Sequence, residues 1–393
     1  MELTLIVVLV IALALFFDFT NGFHDTANAM ATPIATGALR PKVAVALAAV
    51  LNLIGAFLST AVAQTISGGL IREGDDGVFI TPELIFAGLL GAIVWNMVTW
   101  LLGLPSSSSH ALFGGLIGAA LVGFGVQAID GSVVMSKIIL PALLAPLTAG
   151  LVAYAATKLA YAITRRYDGK PDGRDGFRHA QVFSSSLVAL AHGTNDAQKT
   201  MGVITLTLIS VGLQPVGSAP ETWVVVTCAI AIALGTYMGG WRIIKTLGTG
   251  LTDVKPAQGF ASETATAATI LASSHLGFAL STTQVASGSV IGSGLGRRGS
   301  KVRWRTAGRI GIGWLMTLPA AGGVGALAAV VALQLGTLGI LVDTIVGAAV
   351  VGGIFLWSRR NEVSHRNVLS EVADSGRAVK IKRNPKPKKK VLS

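Results

Sequence analysis

Charge is scarce in this chain: only 13% of its 393 residues are Asp, Glu, Lys or Arg, about half the share of a soluble domain. With 52% hydrophobic residues and a mean hydropathy of +0.66, that scarcity argues against a soluble protein with buried helices. A single cysteine, Cys228, excludes an internal disulfide. No HExxH helix and no Walker phosphate loop occurs, and no ATP-driven motor domain is present. Residues 359–393 hold eleven Lys/Arg against three Asp/Glu, yet lack interleaved aromatics, so nucleic acid is not the implied partner. The apolar start, residues 3–17, lacks the basic flank and cleavage site of a signal peptide. It runs on into Asp18 and NGFHDTAN and reads as the first half of a functional helix.

What is abundant is apolar length and glycine, 48 residues of it, as close helix contact in lipid requires. Candidate spans are 3–36, 43–66, 81–103, 110–128, 137–163, 181–213, 222–241, 260–277, 282–296, 308–335 and 338–357. Basic clusters at Arg40 and Lys42, 165–178 and 297–305, and in the tail set the orientation, while loop 72–76 is acidic. Placing every basic cluster in the cytoplasm predicts an outer N-terminus, a cytoplasmic C-terminus and eleven crossings of a cell membrane.

The chain also repeats itself. NGFHDTANAMAT (21–32) is followed by LPSSSSHALFGGLIGAAL (104–121), and HGTNDAQKTMGV (192–203) by ALSTTQVASGSVIGSGL (279–295). Asp25 matches Asp196 at an offset of 171, together with Gly22 and Gly193 and Met30 and Met201. His110 matches Gln284 at an offset of 174, bringing Gly114 onto Gly288 and Gly118 onto Gly292. Five crossings in the first half, an odd number, make the second copy enter from the opposite side. The expectation is an all-α polytopic membrane protein of inverted-topology repeats with broken or re-entrant helices, about 10–12 segments in all. Its parts are a first repeat (1–163), a basic cytoplasmic linker (164–180), a second repeat (181–335), an added helix (336–358) and a basic, disordered tail (359–393) that can touch anionic lipid.

Each half supplies two polar islands. The first carries a carboxylate with amides: Asp25 and Asn28, or Asn195 and Asp196. Buried ionisable groups in lipid are costly, which makes them functional candidates. The second is a hydroxyl run where a helix begins: Ser106–Ser109 after Pro105, and Ser281, Thr282 and Thr283. Such helix starts aim backbone N–H groups and hydroxyls at one point, an oxyanion site. The expected substrate contacts are Ser107, Ser108, Ser281, Thr282, Thr283, Asn195 and Lys199. Carboxylates beside a bound oxyanion require a cation or proton between them, so Asp25, Asn28, Asp196, His24 and His192 are read as coupling residues. Asp25 and Asp196 are the candidates to hold a co-transported divalent or sodium ion. Lys199, three residues after Asp196 where the first half has Asn28, is expected to take a cation's place as a fixed charge. The histidines favour protons over sodium.

These motifs resemble the duplicated GANDVANA and PVSTTH signatures of the inorganic phosphate transporter family, over about residues 1–335. The resemblance implies a carrier, not an enzyme, that moves phosphate with a cation, and it adds Glu263 to the coupling set. His24, Lys199, Gln284 and Asn52 depart from the family pattern and look like its bacterial proton-driven branch. No bound cofactor is expected, and that branch is implied to take phosphate as a neutral complex with magnesium or another divalent cation. A sulfate permease of the same family and a sodium-coupled phosphate symporter are the alternatives, and a homodimer is left open.

Overall fold

The computed structural model describes residues 5–67, 80–164, 171–361 and 363–370. The acidic loop 72–76, residues 165–170 of the central basic loop and the tail beyond 370 lie outside them. The described residues form helices and the turns that join them, without strands. Helix α1 (Leu5–Ala35) is followed by α2 (Pro41–Gly55), α3 (Ala61–Ser67), α4 (Pro82–Leu101) and α5 (Ser108–Phe124). A short α6 (Gly131–Val133) continues through a widened turn into α7 (Leu140–Ile163). The second half comprises α8 (Pro171–Ser210), α9 (Thr222–Met238), α10 (Trp241–Lys245), α11 (Pro256–His275), α12 (Thr282–Gly296), α13 (Trp304–Leu335) and α14 (Thr337–Ser358).

All eleven apolar stretches appear as helices, but not all as straight full crossings. Five uninterrupted stretches have the length and apolarity to span a bilayer: α1, α4, α6 with α7, α13 and α14. The pair α9 and α10, bent by 57°, gives a sixth if it forms one span. Helix α8 has the length, at 40 residues, but its polar island keeps it out of that class. It also reaches back to Pro171, into the stretch read from sequence as a linker. Segment 43–66 is broken into α2 and α3, and α2 and α12 have 15 residues each, roughly 22 Å against a core of about 30 Å. The breaks fall beside the polar islands.

The outward faces are apolar, with Leu151, Leu315 and Leu327 among the most exposed side chains, while Asp25, Asp196 and Lys199 are buried. This inside-out distribution suits a lipid solvent and makes the chain a multi-pass membrane protein. Helices α4 and α5 fold back on each other, as do α11 and α12. Each pair turns at a glycine with positive φ, Gly103 (63°) and Gly277 (71°), again 174 residues apart. A Cβ is strained in that conformation, which accounts for glycine at both turns.

The halves interlock by exchange. Gly22 of α1 packs on Ile232 and Thr236 of α9, and Gly193 of α8 packs on Asn52 of α2. Gly118 of α5 meets Gly322 of α13, and Gly292 of α12 meets Gly150 of α7. A Cβ at Gly292 would penetrate the Gly150 carbonyl oxygen, a backbone atom that cannot yield. Gly292→Val is therefore expected to destabilise by about 1–3 kcal/mol or more. Thermal unfolding of the purified protein checks this, with Gly352→Val, at a site with open space, as the neutral control.

The two motif helices run antiparallel. Thr36 of α1 donates to Gln181 of α8 at 2.7 Å, Asn21 donates weakly to Asp196 at 3.5 Å, and Asp18 faces Thr200. Equivalent helices that oppose one another are what an inverted repeat requires.

Candidate functional site

The islands meet at the α1–α8 crossing, where the tips of both folded-back pairs converge. Helix α5 begins at Ser108 with Ser107 as its cap, the Ser107 hydroxyl accepting from the His110 N–H at 3.1 Å. Helix α12 begins at Thr282 with Ser281 as its cap, accepting from the Gln284 N–H at 3.2 Å. The expected substrate hydroxyls Ser107 and Ser281 are thus engaged as caps, though each keeps its own proton for donation. The first-turn N–H groups of Ser108, Ser109, Thr282 and Thr283 have no acceptor within their helices.

Asp25 and Asp196 share a partner. The Thr282 hydroxyl lies 3.3 Å from Asp25 Oδ2 and 3.1 Å from Asp196 Oδ2, with one proton to give. Thr283 donates to Asp25 Oδ1 at 3.2 Å and Ser108 to Asp25 Oδ2 at 3.4 Å. Asn28 holds both threonines, its amide donating to Thr283 at 3.0 Å and Thr282 at 3.3 Å.

Three basic groups surround the carboxylates. His24 Nδ1 lies 2.6 Å from Asp25 Oδ1, and its Nε2 faces the Thr99 hydroxyl at 3.2 Å. His192 Nε2 is 2.9 Å from Asp196 Oδ2 and 3.9 Å from Asp25 Oδ2, while Nδ1 faces Asn52 Oδ1 at 3.3 Å. Asn52 donates its amide to Thr236, which fixes its oxygen toward the ring. Acceptors at both nitrogens suit a doubly protonated imidazole. Lys199, 0% exposed, places its ammonium on Asp196 Oδ1 and donates to the Leu280 carbonyl at 3.2 Å.

Asp25, His192 and Asp196 offer ligand atoms within 4.8 Å of one another, the spacing of a cation site. Their oxygens are already engaged by Lys199, the histidines and the hydroxyls, so the donor set does not fit a resident metal in this arrangement. Two of the expected residues lie off this centre. Asn195 turns its amide to Ser274 (2.9 Å) and the Phe278 carbonyl, bracing the α11–α12 turn. Glu263 of α11 meets α1 two turns beyond Asp25, where Thr32, Gln181 (3.0 Å) and Ser184 (2.6 Å) all donate to it. Thr99, Gln181 and Ser184 were not foreseen, and Asn52 entered only as a departure from the family pattern; they are polar residues in apolar stretches whose partners come from distant helices.

Folded-back helix pairs closing on acidic, basic and hydroxyl groups, inside a bundle with apolar outer faces, define a membrane transport protein. The chain belongs to the Phosphate transporter family, which it matches twice, over residues 21–175 and 164–325. It is 56% identical over 378 residues to the probable low-affinity inorganic phosphate transporter of Mycobacterium tuberculosis H37Rv, covering 93% of this chain and 87% of that protein. It is 40% identical over 331 residues to the Bacillus subtilis protein of the same description, covering 83% and 97%. A solved structure described as the sodium-dependent phosphate transporter shares the fold, with TM-score 0.73 and 24% identity, covering 85% of this chain and all of the other.

Proposed function

We propose that this protein imports inorganic phosphate in symport with protons, by alternating access around the Asp25–Asp196 site. The observation that carries the reading is the pairing of donors and acceptors there. Two helix starts, Thr282, Thr283 and Lys199 supply donors for an oxyanion. The two carboxylates and the unpartnered Asn28 Oδ1 supply acceptors. Phosphate near neutral pH carries O–H groups that acceptors can bind, whereas sulfate carries none, so the site favours phosphate. A divalent cation entering with phosphate as a neutral complex would lessen the repulsion between phosphate and the carboxylates; Asp25 and Asp196 are the residues to meet it.

Coupling to protons rather than sodium is supported by Lys199, whose ammonium sits where a cation would contact Asp196. The two histidines put imidazoles, side chains able to carry a proton, directly against both carboxylates. The antiparallel motif helices supply the twofold relation by which the site can open to either side in turn. The N-terminus is placed outside and the C-terminus in the cytoplasm, on the basic loops.

Labelled phosphate uptake into proteoliposomes tests the reading, with pH, sodium and magnesium varied separately. An inward proton gradient is expected to drive accumulation, an imposed sodium gradient to leave it unchanged, and excess sulfate not to compete. Sodium-driven uptake without a pH response would overturn the proton assignment; sulfate competition would overturn the substrate.

A further inference from the structure

One buried carboxyl group has no part in the site so far. Asp18 lies on the face of α1 that carries Asn21, Asp25, Asn28 and Thr32, two turns before Asp25 and about 10 Å from it along the axis. It is 0% exposed, and neither of its oxygens accepts a hydrogen bond of ordinary length among the described residues. The Thr200 hydroxyl of α8 faces it and is itself without a partner. The titratable groups acting on it are Asp196, His192 and Lys199 from α8 and Cys228 from α9.

No basic group pairs with it among the described residues. Lys199, His192 and His24 all face Asp25 and Asp196, and none of them reaches an Asp18 oxygen. An ionised Asp18 would be a third carboxylate buried in lipid with no counter-charge, an arrangement that buried charges avoid. As the neutral acid it needs only an acceptor, which the Thr200 oxygen offers.

We propose that Asp18 carries the proton that moves with phosphate. The neutral acid belongs to the closed arrangement seen here. On the inward-open side its O–H bond breaks, the proton passes to water and the carboxylate remains. On the outward-open side a proton from water restores the acid before the site closes again. One proton crosses per cycle with no other reactant. This assignment rests on the transport reading above and adds a residue to it.

The test separates exchange from accumulation. Wild type, Asp18→Asn and Asp18→Glu are reconstituted, and two rates are measured: exchange of labelled for unlabelled phosphate at equal pH, and accumulation driven by a pH gradient. Asp18→Asn is expected to keep exchange within about threefold, to lose gradient-driven accumulation by at least about tenfold, and to show a flattened pH profile. Asp18→Glu restores both. Wild type that exchanges no phosphate would sink the transport reading itself. Wild type that does exchange, beside an Asp18→Asn variant with undiminished accumulation, would sink the Asp18 assignment alone. Loss of exchange and accumulation together in both variants would make Asp18 a structural residue and overturn the proposal. If Asp18→Asn fails to fold, infrared difference spectra on phosphate addition decide between wild type and Asp18→Glu. The carboxylic acid C=O band must shift on that substitution, and an unshifted band overturns the assignment.

Discussion

Asp25→Asn is expected to abolish phosphate accumulation, by at least about 100-fold, while leaving a folded protein. The carboxylate accepts from His24, Thr283, Thr282 and Ser108, with His192 at 3.9 Å. An amide is nearly the same size, so packing survives. It removes the negative charge, and its NH2 group must face donors that formerly met an oxygen. The unsatisfied donors cost about 1–3 kcal/mol of stability. Transport loses more than that, because His24 and His192 lose the carboxylate they face and the site one acceptor for a protonated oxyanion. The measurement is uptake beside the unfolding temperature of the same preparation. Uptake within threefold of wild type in a folded variant would show that Asp25 only braces α1 against α12.

Much of this site was legible in the sequence, because its central residues lie within short motifs and the helical repeat does the rest. His192, Asp196 and Lys199 are spaced by four and three residues, so one face of α8 presents all three. The helix starts at Ser108 and Thr282 were visible as hydroxyl runs before small residues, and both are where the caps place them. The exchange of helices between halves was not legible. Gly118 against Gly322 and Gly292 against Gly150 are contacts between distant segments, and a glycine's own sequence does not say which backbone it meets. Glu263 came from family resemblance rather than from spacing, and the structure puts it with Gln181 and Ser184, on the opposite side of Asp25 from Asp18. The extension of α8 back to Pro171 was hidden because glycine and charge in GKPDGRDG mark a loop more strongly than a helix.

Lys199→Asn is expected to cost about 3–5 kcal/mol of stability and to suppress uptake, because it leaves the Asp196 carboxylate buried without its cation. His192 remains at 2.9 Å but is shared with Asp25, so it cannot replace the lost charge in full. The asparagine matches Asn28 of the other half and restores an amide next to the carboxylate, which is a ligand set for a small hard cation. Sodium should then stabilise the variant, by about 2.7 kcal/mol at a concentration 100 times its dissociation constant, and wild type not at all. Uptake by the variant should recover with sodium in parallel. Asp196→Asn alone leaves the ammonium buried and unpaired, so the double variant Asp196→Asn/Lys199→Asn should be less destabilised than the two single changes added together. It should also lose the sodium response, since the charge that binds the ion is gone. Thermal unfolding with and without sodium, run on all four proteins, reads both effects. Additive losses with no sodium shift in Lys199→Asn would mean that the ammonium fills space between α8 and the Leu280 carbonyl and does not stand in for an ion.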